Sequence, residues 1–409
     1  MNTDTERGAS AYRIYGSRWL VLGLHMLANL TIQALWISYA PVTAAAGAFY
    51  GVSELQIGLF SMIFMIGFIP LSIPVSWCID RFGSKPTVAA GAIITGICGI
   101  VRGLAGQNFG LAIAATIGMA AAQPAFLNSW TKIAAAWFPS NERATAVGMM
   151  TLANLLGAAI GQVATPMLTQ TMSISQAQLY YGIAAAGAAL LFVLFAREKP
   201  ATPPDASAER ERALMLDGIK RALSLKSFRR YLLMAFIGLG IFNGVTTWIE
   251  GIVRPRGFDS IQAGVAVAAM LAAGIVGAVA IPALSDRRGR RKPYIILGLL
   301  GGIPGIIGLA LAPSYPLLIA SSAVLGFFLV SVNPIGTQYA SETALPTPEG
   351  TSNGLISLAG QLSVVLVYAM EPLKRATGSY AAPLLCFAAL LGMSAALAAT
   401  LAEAPAGKR

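Results

Sequence analysis

Charged residues are scarce: Asp, Glu, Lys and Arg make up 11% of the 409 positions. A soluble domain carries about 25%, so this chain cannot clothe itself in a water-facing surface. Histidine occurs once, at His25. Cysteine occurs three times, at Cys78, Cys98 and Cys386, each inside an apolar run and none at metal-ligand spacing. They read as packing residues, and no metal or cofactor is expected. The sequence has no HExxH and no paired aspartates within its apolar runs. It therefore offers no catalytic constellation, and enzyme activity is not expected. A Walker-type glycine loop with Lys-Ser/Thr is also missing, which excludes a nucleotide-driven pump.

What the sequence has in quantity is apolar length. Hydrophobic residues make up 56%, and the mean hydropathy is +0.69. Apolar runs recur that are long enough to cross a hydrocarbon core of about 30 Å, so the chain reads as an all-α polytopic membrane protein. Twelve transmembrane helices are expected. The first six lie near 18–46, 53–80, 86–106, 109–138, 143–169 and 177–196, and the second six near 229–253, 260–285, 292–312, 316–343, 350–373 and 379–402. This divides the chain into a tail (1–17), a six-helix bundle (18–196), a linker (197–228), a second six-helix bundle (229–402) and a short tail (403–409). The linker opens Pro-rich and continues as a charged stretch expected to form an amphipathic surface helix. The first apolar run is too long for a signal peptide and reads as a retained span.

The formal charge of +11 points to topology and not to nucleic acid, because the basic residues cluster in alternate connections. Arg7, Arg13 and Arg18, then Arg81 and Lys85, Arg143, the linker, and the run Arg287 to Lys292 all fall on one side. The positive-inside rule makes that side, and both termini, cytoplasmic. A plasma membrane, in a bacterium the inner membrane, is the expected location, with the lipid bilayer as the main partner and a monomer as the expected state.

Two short stretches occupy equivalent places in the two halves. "DRFGSK" (Asp80–Lys85) follows the second helix and "DRRGRRK" (Asp286–Lys292) follows the eighth. This arrangement resembles the major facilitator superfamily, which implies two pseudo-symmetric six-helix bundles working by alternating access. In that superfamily the loop glycine permits a tight turn and the Asp and Arg contact neighbouring helix ends. Asp80, Arg81, Asp286 and Arg287 are thus gating candidates, joined by Lys132 and Glu342 near the same side of the membrane.

Polar side chains in lipid are costly and should face a cavity or another helix. Asn29, Gln33 and Trp36 fall at i, i+4 and i+7 of the first helix, on one face. Asn243, Thr246 or Thr247, and Glu250 do so in the seventh, Ser357, Gln361 and Tyr368 in the eleventh, and Gln123 with Trp130 in the fourth; Asn154 adds a fifth-helix amide and Asn333 a tenth-helix one. Any one of these can equally be interhelical glue. Trp36 and Tyr39 can alternatively be interfacial belt residues if the first helix ends early. Glu250 reads as the only acidic side chain on the outer half of the cavity, a candidate for a cationic substrate or a proton, or simply an i,i+4 partner of Arg254. His25 reads as a packed, hydrogen-bonded histidine, with proton coupling through it, Lys132 or Glu250 left open.

Longer stretches resemble the feline leukaemia virus subgroup C receptor family, a facilitator branch of choline and ethanolamine transporters also linked to haem export. They include "RWLVL" from Arg18, "WISY" from Trp36, "AAQPAFLNSWTKIAAAWF" from Ala121 and "GFFLVSVNPIGTQYASETALPTPEGTSNGLISLAGQ" from Gly326. The resemblance implies that Trp36 forms an aromatic wall around an ammonium head group, with Gln123 and Gln361 as cavity glutamines. The seventh-helix tyrosine of that family is replaced here by Asn243. The leading expectation is a secondary active or facilitative transporter of a small cationic or amphiphilic amine. A proton-coupled carrier of organic anions, with Lys132 supplying charge, and a drug or metabolite efflux carrier are the alternatives.

Overall fold

The computed structural model describes residues 13–139, 142–202, 204, 215–343 and 349–401. Twelve helical segments are long and apolar enough to cross a membrane. Spans 1 to 6 are Ser17–Tyr50, Glu54–Phe82, Ser84–Leu104, Phe109–Trp137, Arg143–Leu168 and Ile174–Phe195. Spans 7 to 12 are Lys226–Arg256, Ser260–Arg288, Lys292–Leu311, Tyr315–Ala340, Gly354–Thr377 and Ala381–Ala399. Large side chains such as Ile97, Leu190, Leu194, Val279 and Met393 stand exposed on them, an arrangement stable only where lipid covers the surface. A short helix, Met215–Ser224, precedes span 7 at the position expected for the linker helix. Much of the preceding linker, 205–214, lies outside the described residues.

Local chemistry sets several helix starts. Ser173 with Gln176 and Asp259 with Gln262 form capping boxes ahead of spans 6 and 8, each satisfying two otherwise orphaned N–H groups. Asn108 accepts from Leu111 N and caps span 4.

Three spans expected to be continuous are broken. Span 1 stops as an α-helix at Ile37, passes through a 3-10 turn at Ala40–Val42 and resumes at Thr43–Tyr50. Pro41 explains the break, because it lacks the N–H that would bond back to the Ile37 carbonyl. Span 4 divides into Phe109–Leu127 and Trp130–Trp137, and span 11 into Glu349–Leu362 and Val364–Thr377. These breaks correct two face assignments. Trp130 does not continue the helical register of Gln123, and Tyr368 does not continue that of Gln361; Tyr368 is in fact exposed. Half-helices of this kind present backbone groups and redirected side chains at membrane depth.

The chain forms two compact units. The first comprises Met1–Trp36, Pro70–Ala158 and Met172–Ala213; the second comprises Ile37–Ile69, Ala159–Thr171 and Leu214–Arg409. In the first, spans 3 and 6 approach at backbone distance: a Cβ on Gly99 would lie 2.9 Å from the Gly182 Cα, and one on Gly96 2.8 Å from the Ala186 Cα. In the second, spans 8 and 10 do the same, Gly277 facing the Phe327 carbonyl and Gly326 the Met270 carbonyl. Small residues let membrane helices gain dispersion contact where no hydrophobic effect drives them together.

Candidate functional site

In the first unit, Asn29, Gln33 and Trp36 share one face of the intact part of span 1, and all three are buried. Asn29 Nδ2 donates to the Met150 carbonyl at 3.3 Å, tying span 1 to span 5, while its Oδ1 has no hydrogen-bond donor. Gln123 Nε2 lies 3.5 Å from Gln33 Oε1, joining spans 1 and 4, and Gln123 Oε1 is likewise without a donor. Asn154 on span 5 adds a third amide oxygen in that condition. Gly157 makes room for this grouping, since a Cβ there would strike the Leu30 carbonyl and lie 3.0 Å from Gln33 Cβ. His25 is packed as expected, with Nδ1 donating to the Val21 carbonyl at 2.8 Å and its ring edge-on to Phe192. Trp130 and Trp137 pack against Val21, Leu22, Phe138 and Met150.

In the second unit, Tyr39 is buried, stacked 4.0 Å from Phe60 and hydrogen-bonded to Tyr50 Oη at 2.8 Å, so it is a packing residue and not an interfacial one. Asn243 and Gln361 are half-buried and Asn333 is exposed, and none of the three side chains hydrogen-bonds to a described residue. Thr247 is buried with its hydroxyl unpartnered.

Glu250 differs from its expectation. It is not the lone acid of its region but one of three. Its Oε2 accepts from Ala44 N at 2.8 Å, at the start of the second piece of span 1, and its Oε1 meets Arg254 Nη1 at 3.2 Å. Arg254 also bonds Glu54 at the start of span 2. Glu54 Oε2 accepts from Lys374 Nζ at 3.0 Å, and Lys374 lies 3.6 Å from Glu371 on its own helix. Glu371 is completed by Arg375 Nε at 3.1 Å and the Tyr380 hydroxyl at 2.7 Å. Burial and that carboxylate push the Tyr380 pKa above its ordinary range, so it stays a donor. Three carboxylates, two guanidiniums and one ammonium thus lock spans 1, 2, 7 and 11 together. Trp248 underlies the lock, donating to the Val367 carbonyl at 2.8 Å beyond the break in span 11.

The profile of the Major Facilitator Superfamily matches residues 21–368. The chain belongs to that superfamily. Among its relatives, solute carrier family 49 member A3 of Xenopus tropicalis is 29% identical over 372 residues, covering 87% of this chain and 77% of the relative. The choline/ethanolamine transporter flvcr2a of Danio rerio is 28% identical over 374 residues, covering 86% and 79%. FLVCR1 of Felis catus, named a choline/ethanolamine transporter, is 28% identical over 376 residues, covering 85% and 66%. A bacterial homolog to the human lysosomal transporter Spinster, solved inward-facing and unoccupied, matches with a TM-score of 0.75 at 17% identity, over 94% of this chain and 97% of that one. The facilitator fold and a distant resemblance to the FLVCR transporters are thereby established, and the chain is a membrane transporter.

The facilitator's two loop motifs are built differently. Gly83 and Gly289 both have positive φ, +105° and +63°, the region in which glycine alone is unstrained. Asp80 meets Lys132 Nζ at 3.1 Å, and Lys132 also donates to the Ile79 carbonyl at 2.5 Å, clamping span 4 to span 2. The loop itself is held by Glu198, whose carboxylate accepts from Ser84 N at 2.8 Å and Lys85 N at 2.5 Å at the start of span 3. In the second copy, Arg291 bonds both Asp286 and, at 3.0 Å, Glu342. Burial works against the Arg291 charge, but these two carboxylates outweigh it and raise its pKa. Glu342 therefore meets a loop arginine. Arg81 and Arg287 are exposed and pair with no described residue.

Sequence reasoning passed over Glu54, Glu371, Glu198 and Arg102. Glu371, Lys374 and Arg375 stand at i, i+3 and i+4, a spacing that signals a paired helix face. Glu54 and Glu198 carry no comparable local signal, because their partners lie far away in sequence. Among the described residues no group of His, Cys, Asp or Glu is placed to hold a metal ion.

Proposed function

We propose that this facilitator carries a small organic cation of the choline or ethanolamine type by alternating access, as a uniport or an ion-coupled carrier. One observation carries the reading: three amide oxygens, on spans 1, 4 and 5, are left without a donor. Asn29, Gln123 and Asn154 each offer an amide oxygen without a donor, and Trp36 stands on the same helix face as Asn29. An ammonium head group is satisfied by an indole face and carbonyl oxygens, with no counter-charge required.

A carboxylate substrate needs a free cation, and Lys132, the residue expected to supply one, is engaged. Lys132 is bound to Asp80 and the Ile79 carbonyl, and Arg254 and Lys374 are bound to Glu54. The organic-anion reading loses its anchor for that reason. Glu250, satisfied by Ala44 N and Arg254, fits a role in latching better than one in substrate binding. Asn243, Thr247, Asn333 and Gln361 are retained as the second unit's candidate contacts. The names of the FLVCR relatives support the substrate class, and the basic loops support a plasma-membrane protein with cytoplasmic termini.

The Glu54-centred network acts as a latch that opens and closes during transport, with Asp80–Lys132 and Asp286–Arg291–Glu342 as its counterparts at the loops. The test is a thermal-shift titration of the purified protein. Choline and ethanolamine should raise the melting temperature in proportion to ligand occupancy, and small carboxylates should not. Stabilisation by carboxylates alone overturns the proposal.

A further inference from the structure

Arg102 is the most deeply buried charge among the described residues: its side chain, near the end of span 3, has 0% exposure. A charge so placed has to be held by hydrogen bonds to be tolerated. Arg102 Nη2 donates to Gln178 Oε1 at 2.6 Å on span 6, itself fully buried, and to the Leu35 carbonyl at 3.0 Å on span 1. The helix that contains Leu35 ends at Ile37, so this carbonyl belongs to the last turn, where carbonyls run short of intrahelical donors and the helix dipole favours a cation.

The geometry points to Arg102 as a positioning residue for Trp36, an inference that rests on the proposed contact between Trp36 and substrate. The Leu35 carbonyl lies in the rigid peptide plane that also contains the Trp36 nitrogen and Cα. Fixing that oxygen fixes the direction in which the Trp36 side chain leaves the backbone, immediately before the Pro41 break removes helical restraint from the chain. Close packing makes the restraint stiff. Gly99, one turn before Arg102, brings span 3 so near that a Cβ there would lie 3.6 Å from Leu35 Cδ1, and Gly103 lets Leu179 of span 6 close over the following turn. On the opposite side, Gly157 presses on Leu30 and Gln33. Span 1 thus packs against spans 3 and 5, with one guanidinium nitrogen setting the rotation of its last turn. Lysine ends one bond short of the arginine Nη position, so its ammonium cannot stand where Nη2 serves both acceptors.

The experiment uses the full chain labelled with fluorotryptophan. Its six tryptophans give separate fluorine resonances, and the one lost in Trp36→Phe is assigned to Trp36. Arg102→Lys should displace or broaden that resonance and leave the other five in place. Its KM for choline should rise about tenfold, the scale of one charge-assisted hydrogen bond, with Vmax little changed. In a Trp36→Ala background, Arg102→Lys should have no further effect on KM. A shifted Trp36 resonance with unchanged KM upholds the positioning role and overturns Trp36 as a substrate wall. An unmoved Trp36 resonance, or a shift of all six, overturns the positioning role itself. Gln178→Leu, which removes the other acceptor of Arg102 Nη2 without touching a charge, should reproduce the Trp36 shift in weaker form; if it leaves the resonance unmoved, the guanidinium does not set the ring.

Discussion

Glu54→Gln tests the latch. The carboxylate is the single link between Arg254 and Lys374, with side-chain exposures of 22%, 40% and 26%. Each charge-assisted hydrogen bond in a partly buried setting contributes about 1–1.5 kcal/mol, below the range for dry sites because water screens it. Glutamine keeps one neutral acceptor, so losing one bond and weakening the other gives about 1.5–2 kcal/mol, enough to shift a two-state equilibrium roughly 10- to 30-fold. Arg254 keeps Glu250 and Lys374 keeps Glu371, so the fold should survive the change. The assay is alkylation of Thr247→Cys by an impermeant thiol reagent in a chain whose Cys78, Cys98 and Cys386 are replaced by serine. Thr247 is buried on span 7, three residues before Glu250, and becomes reactive only when the latched region opens. Glu54→Gln should accelerate labelling by the factor above, and added salt should narrow the difference by loosening the unaltered latch. A rate within twofold of the parent shows that the network is surface decoration.

Other predictions follow from the loops and the helix contacts. Gly83→Ala places a Cβ 2.7 Å from the Glu198 carboxylate at φ +105°, and should cost about 1–3 kcal/mol, read as a lower melting temperature. Glu198→Gln should lower it by less, because an amide oxygen still accepts from one of the two N–H groups of span 3. Glu342→Gln weakens the grip on Arg291 and should change Vmax more than KM; a change in KM alone removes it from gating. Gly277→Val, aimed at the Phe327 carbonyl of the neighbouring span, should prevent accumulation of folded protein in the membrane.

The spans were legible because hydrocarbon thickness demands apolar length, and the loop glycines because a tight turn demands positive φ. Capping pairs such as Ser173 with Gln176 were also local and readable. The breaks in spans 4 and 11 were not, since one or two polar residues, Asn128–Ser129 and Ser363, are no more than an intact membrane helix accommodates. Among site residues, the face formed by Asn29, Gln33 and Trp36 could be read from spacing, and the structure keeps it intact. The Glu250 pair with Arg254 could be read from spacing, but its other partners could not, because Glu54 and Ala44 lie some 200 residues away. Arg102 stands at the end of an apolar run with no local sign of its partners, and only the fold carries it into the space among spans 1, 3 and 6.

The most direct measurement of the central claim is radiolabelled choline uptake into liposomes containing the purified chain, with Trp36→Ala as the comparison. The indole face contributes about 1–2 kcal/mol to holding a desolvated ammonium, so the variant's KM should rise roughly 5- to 30-fold. Excess ethanolamine should compete with uptake, and small carboxylates should leave it unaffected. Choline uptake that Trp36→Ala leaves unchanged, or uptake seen only with organic anions, contradicts the account.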